Sequence, residues 1–158
     1  MGDAPLHSVS VAAVIVDDEG RVLVTQRRDN GHWQPPGGVL EITEPIEDGL
    51  RREVYEEIGL AIEAERLTGA YKHVKRGIVA LVFRARVVDG VPGPTDEVAA
   101  VDWWTPEMVS ERMAETFAVR ILDALGDGAP AVRAHDGARW LAPGSRSSHA
   151  RTGGRTGA

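Results

Sequence analysis

Apolar positions along this chain follow two periods, and the switches between them outline its elements. Ser8 to Val16 is rich in valine and alanine and predicts a strand. Gly20 marks a turn and Arg21 to Arg27 alternates, so the two segments are expected to pair as a hairpin. Asp29 to Gly38 holds Gly31, Pro35, Pro36, Gly37 and Gly38 and predicts a loop or sharp turns. Pro45 to Ile58 predicts a helix, with proline at its start and Gly59 past its end. Ile62 to Val74 reads as a weaker strand. Ile78 to Val88 reads as a strong one, whose apolar first half implies burial on both faces. Val98 to Trp104 is a further strand, and Pro106 opens a helical segment, continuous or broken once, to about Leu125.

The pattern stops at Gly144. GSRSSHARTGGRTGA has no acidic and no large apolar residue, so residues 144–158 are expected to be a disordered tail. Residues 1–143 are then expected to form one domain, for which a 158-residue chain is an ordinary size. With no cysteine, the chain can form neither disulfides nor zinc-thiolate sites, and it has no cysteine nucleophile. It has no apolar run of the roughly 20 residues that span a bilayer. Met1 to Ser10 lacks the features of a signal peptide, so the expected location is cytoplasmic and the membrane is not an expected partner. A net charge of −6 argues against nucleic acid as a partner. It also means that a small polyanionic substrate would need a divalent cation to offset repulsion.

The helix carries the chemistry. Ile46, Leu50, Val54 and Ile58 form one apolar stripe. Glu53, Glu56 and Glu57 form a second stripe beside it, with Glu57 inside the apolar arc and Gly49 in the middle of the acidic one. A solvated acidic face is the ordinary meaning of such a helix. Here like charges at i,i+3 and i,i+4, a mid-helix glycine, and carboxylates near the helix C-terminus are each unfavourable locally. Their coincidence points to a functional site. Gly49 is expected to leave open space where the carboxylates converge. Hard carboxylate oxygens suit Mg²⁺, with Mn²⁺ as a substitute.

Gly38, Glu44, Arg52, Glu53, Val54, Glu56, Glu57, Gly59 and Leu60 match the box G-x5-E-x7-R-E-U-x-E-E-x-G-U at every fixed position, U being a bulky aliphatic residue. In this the chain resembles the Nudix hydrolase family, over about residues 8–125. Thr43 stands where a glycine often precedes the first box glutamate, and Gly49 where alanine is common. The resemblance implies an α/β (α+β) fold, a mixed β-sheet sandwiched between helices. It implies Mg²⁺-dependent hydrolysis of the diphosphate linkage in a nucleoside diphosphate derivative, by a monomer or homodimer. Glu53, Glu56 and Glu57 would bind metal, with Gly38 beside them, and Arg52 would orient a box glutamate. Glu97 lies where some relatives place a further metal ligand or general base.

Other residues have two readings. Glu44 could be catalytic or could simply favour the helix start. Trp33 could stack on a nucleobase or sit in the core. Arg27, Arg28, Lys72, Lys75 and Arg76 are candidates to meet phosphates, or surface charge. His135-Asp136 could line a pocket, but reads more simply as a turn. A binding-only sensor on the same fold would show an eroded box, and this box is intact. A diphosphate isomerase on the fold would need a cysteine. A proline or tyrosine roughly sixteen to eighteen residues beyond the box marks some subfamilies. Here those positions are Arg76, Gly77 and Ile78, which leaves nucleoside triphosphates, oxidised ones included, as the default substrate.

Overall fold

A computed structural model describes residues 2–144, so the expected tail, apart from Gly144, lies outside the described residues. The larger of two sheets has six strands: β1 (Ser8–Ile15), β4 (Gly37–Val39), β5 (Ala61–His73), β6 (Ile78–Asp89), β8 (Ala131–His135) and β9 (Trp140–Leu141). Their order is β4-β1-β6-β5-β8-β9. β1 runs parallel to β6 and antiparallel to β4, so the sheet is mixed. A three-stranded antiparallel sheet places β2 (Val22–Arg27) between β3 (Trp33–Gln34) and β7 (Val98–Trp104).

The helices are α1 (Ile46–Ile58), α2 (Pro106–Arg112) and α3 (Glu115–Ala124), and they cover both faces of the larger sheet. Side chains alternate across a strand. Val11, Ala13 and Ile15 of β1, with Phe83 and Ala85 of β6, pack against Leu50, Val54 and Ile58 of α1. Val14 of β1, with Ala80 and Val82 of β6, packs with Ala118, Ile121 and Ala124 of α3. The first half of β6 is thus buried on both faces, as its apolar run predicts. Each fully buried Val or Leu side chain contributes on the order of 1.5–3 kcal/mol.

The expected hairpin and the turn at His135 need correction. The β1–β2 hairpin does not form: the tight turn at Asp17–Arg21 closes, but the strands share only the bridge Val16–Val22. β1 is buried on both faces and takes β6 and β4 as partners, while β2 goes to the smaller sheet. The segment from Pro106 takes the broken one of its two expected forms, because Met113 turns extended (φ −98°, ψ 145°) between two helices. His135 is not in a turn; it ends β8 and is 3% exposed, while Asp136 begins the turn that follows.

α1 ends at Gly59 in the left-handed conformation (φ 72°), as a C-terminal glycine should. Ile46, in its first turn, is exposed, and the apolar stripe is effectively Leu50, Val54 and Ile58. Gly49 is buried and faces no open space. A Cβ there would stand 2.3 Å from Leu40 Cδ1 and 2.7 Å from Glu44 Oε1. The glycine lets the helix pack on the loop that leads into it. Gly49→Leu is therefore expected to lower the melting temperature by more than about 4 °C, roughly 1 kcal/mol for a domain of this size. Turnover per folded molecule should be kept. Thermal melts and active-site-normalised rates on this one variant check it; a normal melting temperature with lost turnover would reinstate the open-space reading.

Candidate active site

Glu57 is the buried member of the acidic stripe, 5% exposed, where its place in the apolar arc put it. Three elements meet on its carboxylate. Thr25, whose side chain leaves β2 on the same face as Leu23, donates its hydroxyl to Oε1 at 3.3 Å. The Gly37 N–H, at the start of β4, donates to Oε2 at 2.9 Å. Gly37 can approach because it has no side chain: a Cβ would stand 2.0 Å from the Val11 carbonyl oxygen in the neighbouring strand. Gly38 does the same for Glu53, whose Oε2 would lie 2.1 Å from a Cβ added to that glycine.

Arg52 organises the other side of the stripe. It donates to Glu44 (Nε–Oε2 2.9 Å), to Glu53 Oε1 at 3.0 Å and to Glu56 Oε2 at 3.1 Å. Glu44 also accepts from the Glu41 N–H at 3.0 Å. The guanidinium of Arg52, foremost, and that N–H hold the Glu44 carboxyl down to about 2. Of the two readings of Glu44 the contacts favour the positioning one: it anchors the arginine that holds Glu53 and Glu56.

The electrostatics run the other way at the buried end. Burial, foremost, and the charges of Glu53 and Glu97 push the Glu57 carboxyl up to about 7, against the lowering by Gly37 and Thr25. Burial also raises Glu53, with Arg52 opposing. Glu53, Glu57 and Glu97 line one cavity of about 680 Å³, together with Gly38, Arg27 and Arg28. Arg27 is ion-paired with Asp29 at 2.6 Å. Arg28 donates to the carbonyls of Thr95 and Val98, at 2.9 and 3.2 Å, and so ties the cavity rim to the segment before β7. Glu56 is exposed and does not line the cavity.

Trp33 lies elsewhere. Its ring packs on Trp104 at 4.8 Å in the second core cluster, and it lines neither of the two cavities described here. Lys72 and Lys75 are exposed, while Arg76 borders the second cavity. Sequence reasoning missed Thr25, whose only signal is a hydroxyl at an inward position of β2, directly after the apolar run Val22 to Val24.

Among the described residues, no three acidic or histidine side chains stand together as a ready-made metal cluster. The donors nonetheless fit a hard divalent cation. Arg52 takes only one oxygen each of Glu53 and Glu56. Among the described residues Glu57 has only a hydroxyl and an N–H as hydrogen-bond partners and forms no ion pair, so its buried charge has room for a cation.

A carboxyl whose folded-state pKa lies above the unfolded value favours the folded state at low pH. That contribution disappears as pH rises from about 4.5 to about 7. In metal-free protein, stability should therefore fall over this interval, by up to roughly 3 kcal/mol from Glu57 alone. The isosteric Glu57→Gln should lose that component. Thermal melts in EDTA between pH 4.5 and 8 check it: the variant should gain on the parent as pH rises, and parallel curves would refute the burial argument.

The NUDIX domain family matches residues 6–125. A MutT-like protein of Streptomyces ambofaciens is 54% identical over 140 residues, which are 89% of this chain and 91% of the relative. An ADP-ribose pyrophosphatase of Methanocaldococcus jannaschii is 29% identical over 92 residues, 54% of each chain. Among solved structures, a NUDIX hydrolase from Nitrosomonas europaea superposes with a TM-score of 0.71 at 21% identity, covering 84% of this chain and 82% of that one. It shares the fold, two layers of helix around a mixed sheet.

Proposed function

The chain belongs to the Nudix family and is a Nudix hydrolase, and from that premise we propose that it cleaves the diphosphate linkage of a nucleoside diphosphate derivative with Mg²⁺. The observation that carries this reading is the Glu57 carboxylate, buried with no ion pair among the described residues and facing, with Glu53, a cavity rimmed by Arg27 and Arg28. Glu53, Glu56 and Glu57 would hold the metal, with Gly38 beside them and Glu97 across the cavity. When bound, the cation neutralises phosphate charge and lowers the pKa of an attacking water.

This chain's own residues supply the frame. Thr25 and Gly37 fix the direction of the Glu57 carboxylate, and Arg52 fixes Glu53 and Glu56. Arg27 and Arg28 are placed to meet phosphate oxygens at the rim. In the metal-free protein Glu57, with a pKa near neutrality, can hold or release a proton at its carboxylate near physiological pH; a bound cation would hold it ionised. Nucleoside triphosphates, oxidised ones included, stay the default substrate, since Arg76, Gly77 and Ile78 stand where other subfamilies carry their marks. The partial likeness to an ADP-ribose pyrophosphatase makes ADP-ribose the comparison substrate. No helix among the described residues is long and apolar enough to cross a membrane.

The test is a screen over nucleoside triphosphates, 8-oxo derivatives, ADP-ribose and dinucleoside polyphosphates with Mg²⁺, in which phosphate is read after a coupling pyrophosphatase or alkaline phosphatase acts on the products. Turnover should vanish in EDTA and return with Mg²⁺ or Mn²⁺; turnover that survives thorough chelation sinks the metal role. Glu57→Gln should lower kcat by more than roughly 10²-fold, the scale of a lost general base or charge stabiliser. Glu47→Gln, on the exposed side of α1, should be nearly silent. Equal effects at the two positions would refute the assignment.

A further inference from the structure

A second cavity, of about 590 Å³, opens on the far side of β4. Gly37, Gly38, Val39, Gln34 and Arg27 line both cavities, so the two adjoin with that strand as their common wall. The character of the lining changes from one to the other. The first holds Glu53, Glu57, Asp96 and Glu97. The second, among the described residues, is lined by no Asp or Glu, but by Arg27, Arg76, Arg120, His73 and His135. In a chain of net charge −6 that segregation is not the average of the surface.

Arg120 is the centre of this second wall. Its guanidinium lies over the rings of Phe117 and Tyr71, at 5.1 and 5.5 Å. Its Nε is buried with no acceptor. Asp123, one turn further along α3, would be the natural ion-pair partner. It is committed elsewhere: it accepts from the Tyr71 hydroxyl and from two nitrogens of Arg133, each at 2.8 Å. Arg120 has no ion pair among the described residues. His135, 3% exposed, adds a second stranded donor. Its Nδ1 accepts from the Gly137 N–H at 3.1 Å, so its proton sits on Nε2, which is buried and has no partner. Buried donors without acceptors, one of them a cation, are costly and need a ligand that only accepts.

We propose that this cavity binds a phosphate or carboxylate carried by the part of the substrate remote from the diphosphate being cut, with Arg120, which lines it and has no ion pair among the described residues, as its main partner. The inference rests on the hydrolase reading above and replaces its nucleoside triphosphate default with a narrower class: a nucleoside diphosphate derivative whose remote part carries an additional anion. Phe117 and Tyr71 offer the guanidinium ring faces and not acceptors, so its hydrogen-bonding capacity is not consumed by them.

Substrate pairs that differ by one anion test it. NADP⁺ against NAD⁺ and coenzyme A against its 3′-dephospho form add a phosphate; UDP-glucuronate against UDP-glucose adds a carboxylate. In at least one pair the anionic member should be preferred about tenfold or more in kcat/KM, the size of one charge-assisted hydrogen bond. The preference should lie in KM, and the pair that shows it identifies the source of the anion. Arg120→Met, which keeps the bulk and removes the buried charge, should bring the ratio near one, and Arg120→Lys should restore part of it. A ratio near one for every cleaved pair in the parent protein, or a preference that persists in Arg120→Met, overturns the proposal.

A second measurement separates this from failure of the hydrolase reading. In EDTA, inorganic phosphate at millimolar concentration should raise the melting temperature of the parent protein and of Glu57→Gln, but not that of Arg120→Met. If no diphosphate is cleaved yet this shift is seen, the anion site stands and the hydrolase reading falls. If diphosphates are cleaved but phosphate shifts all three proteins alike or none of them, the anion site falls alone. If nothing is cleaved and no selective shift is seen, both fall.

Discussion

The buried carboxylate of Glu57 is the constraint to which the rest of the site is fitted. An ionised carboxyl at 5% exposure is unfavourable unless its lone pairs are met. The two groups that meet them come from β2 of the small sheet and from the start of β4 in the large one. That requirement fixes the distance between the sheets and α1 at one point. It also explains why β4 begins with two glycines, since any side chain at Gly37 would collide with the Val11 carbonyl and any at Gly38 with Glu53.

Arg52 does at the exposed edge what Thr25 and Gly37 do at the buried one. By spanning Glu44, Glu53 and Glu56 it sets carboxylates from two turns of α1 and from the preceding loop in a single frame. The consequence is a gradient of proton affinity within one cluster. Glu44 is held far below the carboxylate range, and Glu57 is raised to near neutrality. A cluster in which every glutamate titrated alike could not separate anchoring from proton handling.

Much of this could be read from the residues in advance. The period of Leu50, Val54 and Ile58 fixes the buried side of α1, and the same wheel places Glu57 on the border of that side, where it is found. Gly59 ends the helix as its conformational freedom allows. What could not be read depends on long-range packing. β1 and β2 have the turn of a hairpin, but burial of β1 on both faces commits it to β6 and β4. Gly49 looks functional on a wheel because the wheel does not show Leu40 and Glu44. β8 and β9 are too short for a period to declare itself. Arg120 reads from sequence as an ordinary polar residue on an amphipathic helix; only the pairing of Asp123 with Arg133 leaves it stranded.

The two-glycine strand β4 is a partition of bare backbone with a different chemistry on each side. The groups on the glutamate side come from α1, β2 and the segment before β7, and Arg120 and His135 on the other side come from α3 and β8. Because those two sets share no secondary-structure element, mutation can explore the second without disturbing the first. Paralogues built on this plan would be free to diverge in what they recognise while keeping the same bond-breaking apparatus. The drift would be recorded in α3 and β8, outside the box by which such chains are recognised.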